Sequence, residues 1–399
     1  MERRTLLKSL AALPLAASTG TLWAAPASKT RLLFVFMRGG YDATSLLVPI
    51  ASQYYYQVRP NIAIPKPSED LKSALPINAD WGLHPALRET VYPLYTSGEA
   101  AFVPFAGTED LSRSHFETQD SIELGQPLQG TRNFRSGFLN RLVTVLNADR
   151  NRPGASAISF TDQLPLIMQG ATQLPNMALR SIGKPQVDER QARMIAAMYD
   201  GTALASQVRE GFVVREDVMK QMVGEMDAAN RNAITAKGFE LEARRIARLM
   251  KEKYNVGFVD VGGWDTHVGQ GNGTGYLAGR LEELGRGLAG FAQEMGPAWK
   301  DTVVVVVSEF GRTFRENGNR GTDHGHGSVY WVLGGNVRGN AVRGEQIALE
   351  QKTLFQNRDY PVLNEYRALF GGLLARLYGL NAGQVATIFG TGGRDIGLV

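Results

Sequence analysis

Val303 to Val307, five consecutive valines within "DTVVVVVSEFGRT", constrain the fold more than any other stretch. β-Branched side chains are stiff at χ1 and suit extended backbone. A strand that is apolar at every position is buried on both faces, as in a central parallel strand covered by helices. Four other runs read as buried strands: "RLLFVFM" (Arg31 to Met37), "AAFVPFAG" (Ala100 to Gly107), "GFVDVGG" (Gly257 to Gly263) and "SVYWVLGG" (Ser328 to Gly335).

Helical patterns separate them. One covers "HPALRETVYPLYTSG" from near His84-Pro85. Another starts near His115, because Ser114 and Glu117 form a capping box, and stops at Gly125. Apolar and charged residues recur at helical spacing from about Val187 to Tyr254, and again in "GYLAGRLEELGRGLAGFAQEM" and "NEYRALFGGLLARLYGL". The alternation predicts an α/β fold, a mostly parallel central sheet with helices on both faces. No internal repeat or linker divides the chain. A single domain over 28–399 with a helical insertion around 187–254 is expected.

Ligands of such sheets bind beyond the carboxyl ends of the strands. Here each strand is followed at once by reactive side chains. Asp42 follows the first strand. Ser112, Ser114 and His115 follow the second. Asp265 and His267 lie in "GGWDTH", Glu309 and Arg312 follow the valines, and "TDHGHG" brings Asp323, His324 and His326. A carboxylate and an imidazole on one glycine-flanked loop can share a divalent ion. Two such loops hold three of the five histidines. Asp265 as a plain helix cap and His84 as a structural residue are the bland alternatives. Ser114 opens a helix, where amide dipoles favour an anion or an alkoxide, although most such serines only cap. Arg38, Arg113 and Arg312 are candidates for holding an anion.

The chain has no cysteine, which excludes disulfides, thiolate metal sites and a cysteine nucleophile. Any metal must rest on His and carboxylate. The net charge is +4, and the first 27 residues supply three of the bases against one acid. No basic stripe remains to bind nucleic acid. Those 27 residues, "MERRTLLKSLAALPLAASTGTLWAAPA", have a charged start, a modestly apolar middle and small residues at the end. This is secretory grammar, and Arg3-Arg4 gives it the twin-arginine form. The apolar run is too short and too polar for a stable membrane anchor. Export by the twin-arginine machinery, cleavage after Ala25 or Ala27 and a periplasmic location are expected.

"RGGYDATSLLVP", "LSRSHFETQDSIELG", "GGWDTH", "SEFGRT" and "TDHGHG", in this order behind that leader, resemble the bacterial exported family grouped as a domain of unknown function (DUF1501). That family is similar in turn to the alkaline phosphatase and sulfatase superfamily, whose members hydrolyse phosphate or sulfate esters with one or two divalent metals. The resemblance implies an alkaline-phosphatase-like fold, Asp42, Asp265 and His267 as metal ligands, Ser114 as nucleophile, and His324 or His326 as a final ligand. Glu309 stands where the superfamily has an aspartate, and Phe310 stands where it has a metal-binding histidine. Asp323 is a further carboxylate within reach.

Two functions follow as expectations. One is a metal-dependent hydrolase of anionic esters, small or polymeric, with Zn, Mn, Mg or Ca. In it Arg312 holds the anion and His115 or His326 serves the leaving group. The other is a non-catalytic exported binding or scaffold protein on the same fold, favoured by Phe310.

Overall fold

The computed structural model describes residues 29–149, 154–179, 189–212 and 238–399. The expected leader and much of the expected helical insertion lie outside these residues. Eleven strands are present among them: β1 Arg31–Met37, β2 Leu47–Val48, β3 Leu75–Pro76, β4 Gly82–Leu83, β5 Ala100–Gly107, β6 Ala157–Ser159, β7 Val256–Val261, β8 Thr302–Ser308, β9 Ser328–Leu333, β10 Ala341–Val342 and β11 Asn364–Glu365.

The main sheet runs β10-β5-β9-β8-β1-β7-β6, with β11 also on β5. β1 pairs in parallel with β7 on one side and with the valine strand β8 on the other. β9 is antiparallel to both of its neighbours. The sheet is therefore mixed, and mostly parallel. The valines behave as their run dictates. Val304 and Val306 join one core, with helices Phe239–Glu252 and Tyr276–Met295. Val303, Val305 and Val307 join the core of the opposite face, with helices Phe138–Ala148, Tyr366–Tyr378 and Ala382–Phe389.

Pro104 lies inside β5, and the ladder is irregular between Pro104 and Ala106, with Phe105 at φ 54. A bulge accommodates a residue that cannot donate to the ladder. The expected helix from His84 is broken for a related reason. It appears as a 3-10 turn Pro85–Leu87 and a separate helix Val91–Thr96. The restart puts Pro93 in a first turn, where its missing N–H costs nothing. Among the described residues, the expected insertion contains helices Glu189–Met198 and Phe239–Glu252 and helical backbone at 205–212. Among the described residues, no helix is long and apolar enough to cross a membrane.

Candidate functional site

β1, β5, β7 and β8 all end at one sheet edge, and their following loops lie against each other. The β7 loop and the loop before β9 are joined by backbone bonds from Thr322 N to Thr266 O at 3.1 Å and from Gln270 N to Arg320 O at 3.0 Å. Arg312 and His324 face each other in an isolated antiparallel bridge. A Cβ on Gly325 would lie 2.5 Å from the Arg312 carbonyl, so the glycine is what lets these two loops close.

Side chains of His115, Asp265 and His324 converge there, with their ligating atoms within 4.8 Å of one another. His267 joins them. Its Nε2 lies 2.9 Å from Asp265 Oδ1 and 3.2 Å from His324 Nε2. Each ring is held through its other nitrogen. His115 Nδ1 meets Glu309 Oε1 at 2.9 Å, His324 Nδ1 meets the Arg113 carbonyl at 3.0 Å, and His267 Nδ1 meets Asp323 Oδ1 at 3.3 Å. A carboxylate and a carbonyl only accept, so in the neutral rings Nδ1 carries the proton and Nε2 the lone pair.

The consequence is electrostatic. Two Nε2 lone pairs 3.2 Å apart beside a carboxylate repel, and Arg312 answers only one of them, with Nη1 3.3 Å from His267 Nε2. His115 Nε2 is buried without a hydrogen-bond partner, 3.6 Å from Asp265 Oδ2. This donor set fits a divalent metal: imidazoles oriented by acceptors behind them, plus one carboxylate. Asp265 and His267 are 45% and 41% exposed while Arg312 is fully buried, so the cluster opens to solvent on one side.

The surrounding groups tune it. Glu309, buried at the end of β8, also accepts from Gly39 N at 2.8 Å and Gln119 Nε2 at 2.9 Å. Burial disfavours its charge, but these donors outweigh burial and hold its carboxyl below the usual range. The Glu309 hydrogen bond raises the His115 pKa against burial, which makes its Nε2 a better donor to a cation. Burial lowers the His324 pKa and favours its neutral ring. For Asp265, burial is overcome by the Arg312 guanidinium, then by His267 and His115, so its pKa is lowered. Phe310 is 2% exposed, its ring centroid 5.0 Å from both His115 and His324. It is the wall against which two of the imidazoles are set.

Not every expected site residue joins the cluster. Asp42 is fully buried and spent within the protein. Its oxygens accept from Arg59 at 2.5 and 3.0 Å, from Ser45 Oγ at 2.6 Å and from Gln270 Nε2 at 2.7 Å. Glu309 and Asp323 stand behind the rings of His115 and His267 instead of among the ligating atoms. His326 packs on Phe355 at 5.0 Å, and burial, then Arg113, pushes its pKa down to about 4. Among the described residues the Ser114 hydroxyl bonds to the Glu117 amide at 3.5 Å, as a helix cap. Arg38 and Arg113 are engaged by Glu123 with Asp260 and by Asp359. Arg312 donates to Asp265. Gln119, one helical turn from His115 in "SHFETQD", was missed; its i+4 spacing was the available signal. Nothing in the sequence pointed to Arg59 or to the Arg113 carbonyl.

A family described as a protein of unknown function (DUF1501) matches residues 29–389. The chain belongs to the DUF1501 family. Among solved structures, a protein in the alkaline phosphatase superfamily from Vibrio parahaemolyticus is similar at 12% identity and a TM-score of 0.40, over 99% of this chain and 78% of that one. Ps i-CgsB in complex with k-i-k-neocarrahexaose is similar at 9% identity and a TM-score of 0.35, over 92% of this chain and 75% of that one. Ps i-CgsB alone gives 10% identity and 0.36 over the same shares. No curated protein matches the chain.

Proposed function

We propose that this DUF1501 chain is a divalent-metal-dependent hydrolase of phosphate or sulfate esters that acts after export, in the periplasm. The observation that carries the reading is the convergence of the His115, His267 and His324 Nε2 atoms on Asp265, each ring fixed from behind. His115, Asp265 and His324 would hold the ion, with His267 as a fourth donor. Three imidazoles with one carboxylate favour Zn or Mn over Mg and Ca, which prefer oxygen shells. When bound, such an ion supplies Lewis acidity and offsets the negative charge that develops as an ester bond breaks.

The anionic ester is favoured by what lies around the ion. Arg312 brings a buried guanidinium to the cluster, and His115 is the first residue of helix His115–Leu124, so the positive end of that helix dipole lies beside it. The attacking oxygen comes from Ser114 or from water, and Ser114→Ala separates the two. Glu309 and Asp323 hold His115 and His267 in the tautomer the site needs.

One observation favours a non-catalytic binding protein instead: Arg312 already pairs with Asp265, so the cluster can close on itself. Purified full-length protein loaded with Zn or Mn, then given aryl phosphate, phosphodiester and sulfate esters, decides between them. Hydrolysis that is lost in Asp265→Asn supports the enzyme. Tight metal uptake with no turnover of any ester supports the binding protein.

A further inference from the structure

Among the described residues, the Arg312 guanidinium already stands among the atoms that would receive a metal ion. Its side chain is fully buried. Nη2 donates to Asp265 Oδ1, and Nη1 lies 3.3 Å from His267 Nε2. Its Nε is buried with no hydrogen-bond partner. A neutral imidazole whose Nδ1 is protonated has one lone pair, on Nε2. His267 can therefore accept from Arg312 or ligate a metal, and cannot do both. Asp265 has more capacity, but a guanidinium on Oδ1 repels a second cation beside it.

We propose that Arg312 couples metal binding to anion binding. It competes with the divalent ion for His267 and Asp265, and the ion releases it toward the anionic group of the ester. This rests on the metal-site reading above and adds a regulation to it. The chemistry of the released side chain sets the ligand class. With Nη2 displaced from Asp265, Arg312 offers Nη2 beside Nε, which has no acceptor already. These two N–H groups lie on one edge of the guanidinium, a planar fork that matches two oxygens of one phosphate or sulfate group. Two ligands that each relieve a cost imposed by the other bind cooperatively, and the coupling is the same from either side.

The test is chelator-competition titration of Zn on the full-length protein, wild type and Arg312→Gln, with and without inorganic phosphate. Without phosphate, Arg312→Gln binds Zn tighter than wild type by on the order of ten-fold, because a competing charge is gone. Phosphate tightens Zn binding in the wild type within about the 5- to 150-fold range of ordinary coupling, and this effect collapses toward unity in the variant. Equal or weaker Zn binding by Arg312→Gln overturns the proposal while leaving the metal site standing. So does phosphate coupling that is equal in both proteins, since the anion then meets the metal alone. If neither protein takes up Zn, both readings fall together. Circular dichroism and thermal melting confirm that the variant is folded, and Arg312→Lys, which keeps the charge, is expected to behave like wild type in the titration without phosphate.

Discussion

Glu309 accepts the Nδ1–H hydrogen bond of His115 at 2.9 Å, across 194 residues of sequence. Glu309 is one residue beyond the valine strand and His115 is the first residue of a helix beyond β5, so the sheet itself fixes the tautomer of a candidate ligand. Glu309→Gln keeps the shape and removes the charge. It is expected to weaken metal binding by about 10- to 100-fold, the usual cost of losing such a backing group. Chelator competition measures it, and an unchanged affinity would show that His115 needs no such support.

Asp42 and Arg59 form an ion pair in which both side chains are fully buried. Asp42→Asn leaves the guanidinium without a counter-charge, a loss of about 3–5 kcal/mol when a buried pair is broken from one side. Urea unfolding reads the stability. Metal stoichiometry in the surviving folded protein is expected to be unchanged, because Asp42 has no free oxygen to offer an ion.

Gly40 has φ +60, and a Cβ there would lie 2.2 Å from the Phe310 ring. Phe310 is buried and packed against both His115 and His324, so its ring cannot swing away cheaply. Gly40→Ala is expected to destabilise the fold by about 1–3 kcal/mol through strain and overpacking. It should also weaken metal binding, because both rings lose their wall. Thermal melting and metal titration on the same sample check the two effects together.

His84 carries a pH dependence of its own. Its Nδ1 accepts from Ala86 N at 3.1 Å and its Nε2 donates to the Asn272 carbonyl at 3.0 Å. Burial lowers its pKa to about 4, against about 6.5 for an unfolded chain. Between those values the unfolded chain binds a proton that the folded one refuses. The contribution of His84 is therefore complete above about pH 6.5 and is lost on acidification toward pH 4, by at most about 1.4 kcal/mol per pH unit. Urea unfolding from pH 4.5 to 7.5 should show this slope in the wild type and a shallower one in His84→Gln. Equal slopes would refute it.

Much of the fold was legible because burial on two faces writes itself as unbroken apolar runs. β1, β5, β8 and β9 carry that signature, and β7 does so up to Asp260. The antiparallel direction of β9 was not legible, since a strand covered on both faces looks alike in either orientation. β6, β10 and β11 are two or three residues long and owe their existence to a neighbour's ladder. Within the site, the sequence singled out the residues of the loops but not their order around the centre. Asp42 and His326 are next to the same sheet edge as Asp265, yet Arg59 and Phe355 take them up. That choice depends on partners dozens of residues away, which no local pattern encodes. Phe310 read as a missing ligand and is the packing surface for two candidate ligands, His115 and His324.

The most direct measurement of the central claim is metal analysis of the purified full-length chain by inductively coupled plasma mass spectrometry, for the wild type and for His115→Ala and His324→Ala. About one divalent ion per folded wild-type chain, lost or sharply reduced in both variants, is the expected result for a site built on these two rings. A wild type that holds no metal after incubation with Zn and Mn, or variants that hold as much as the wild type, would contradict it.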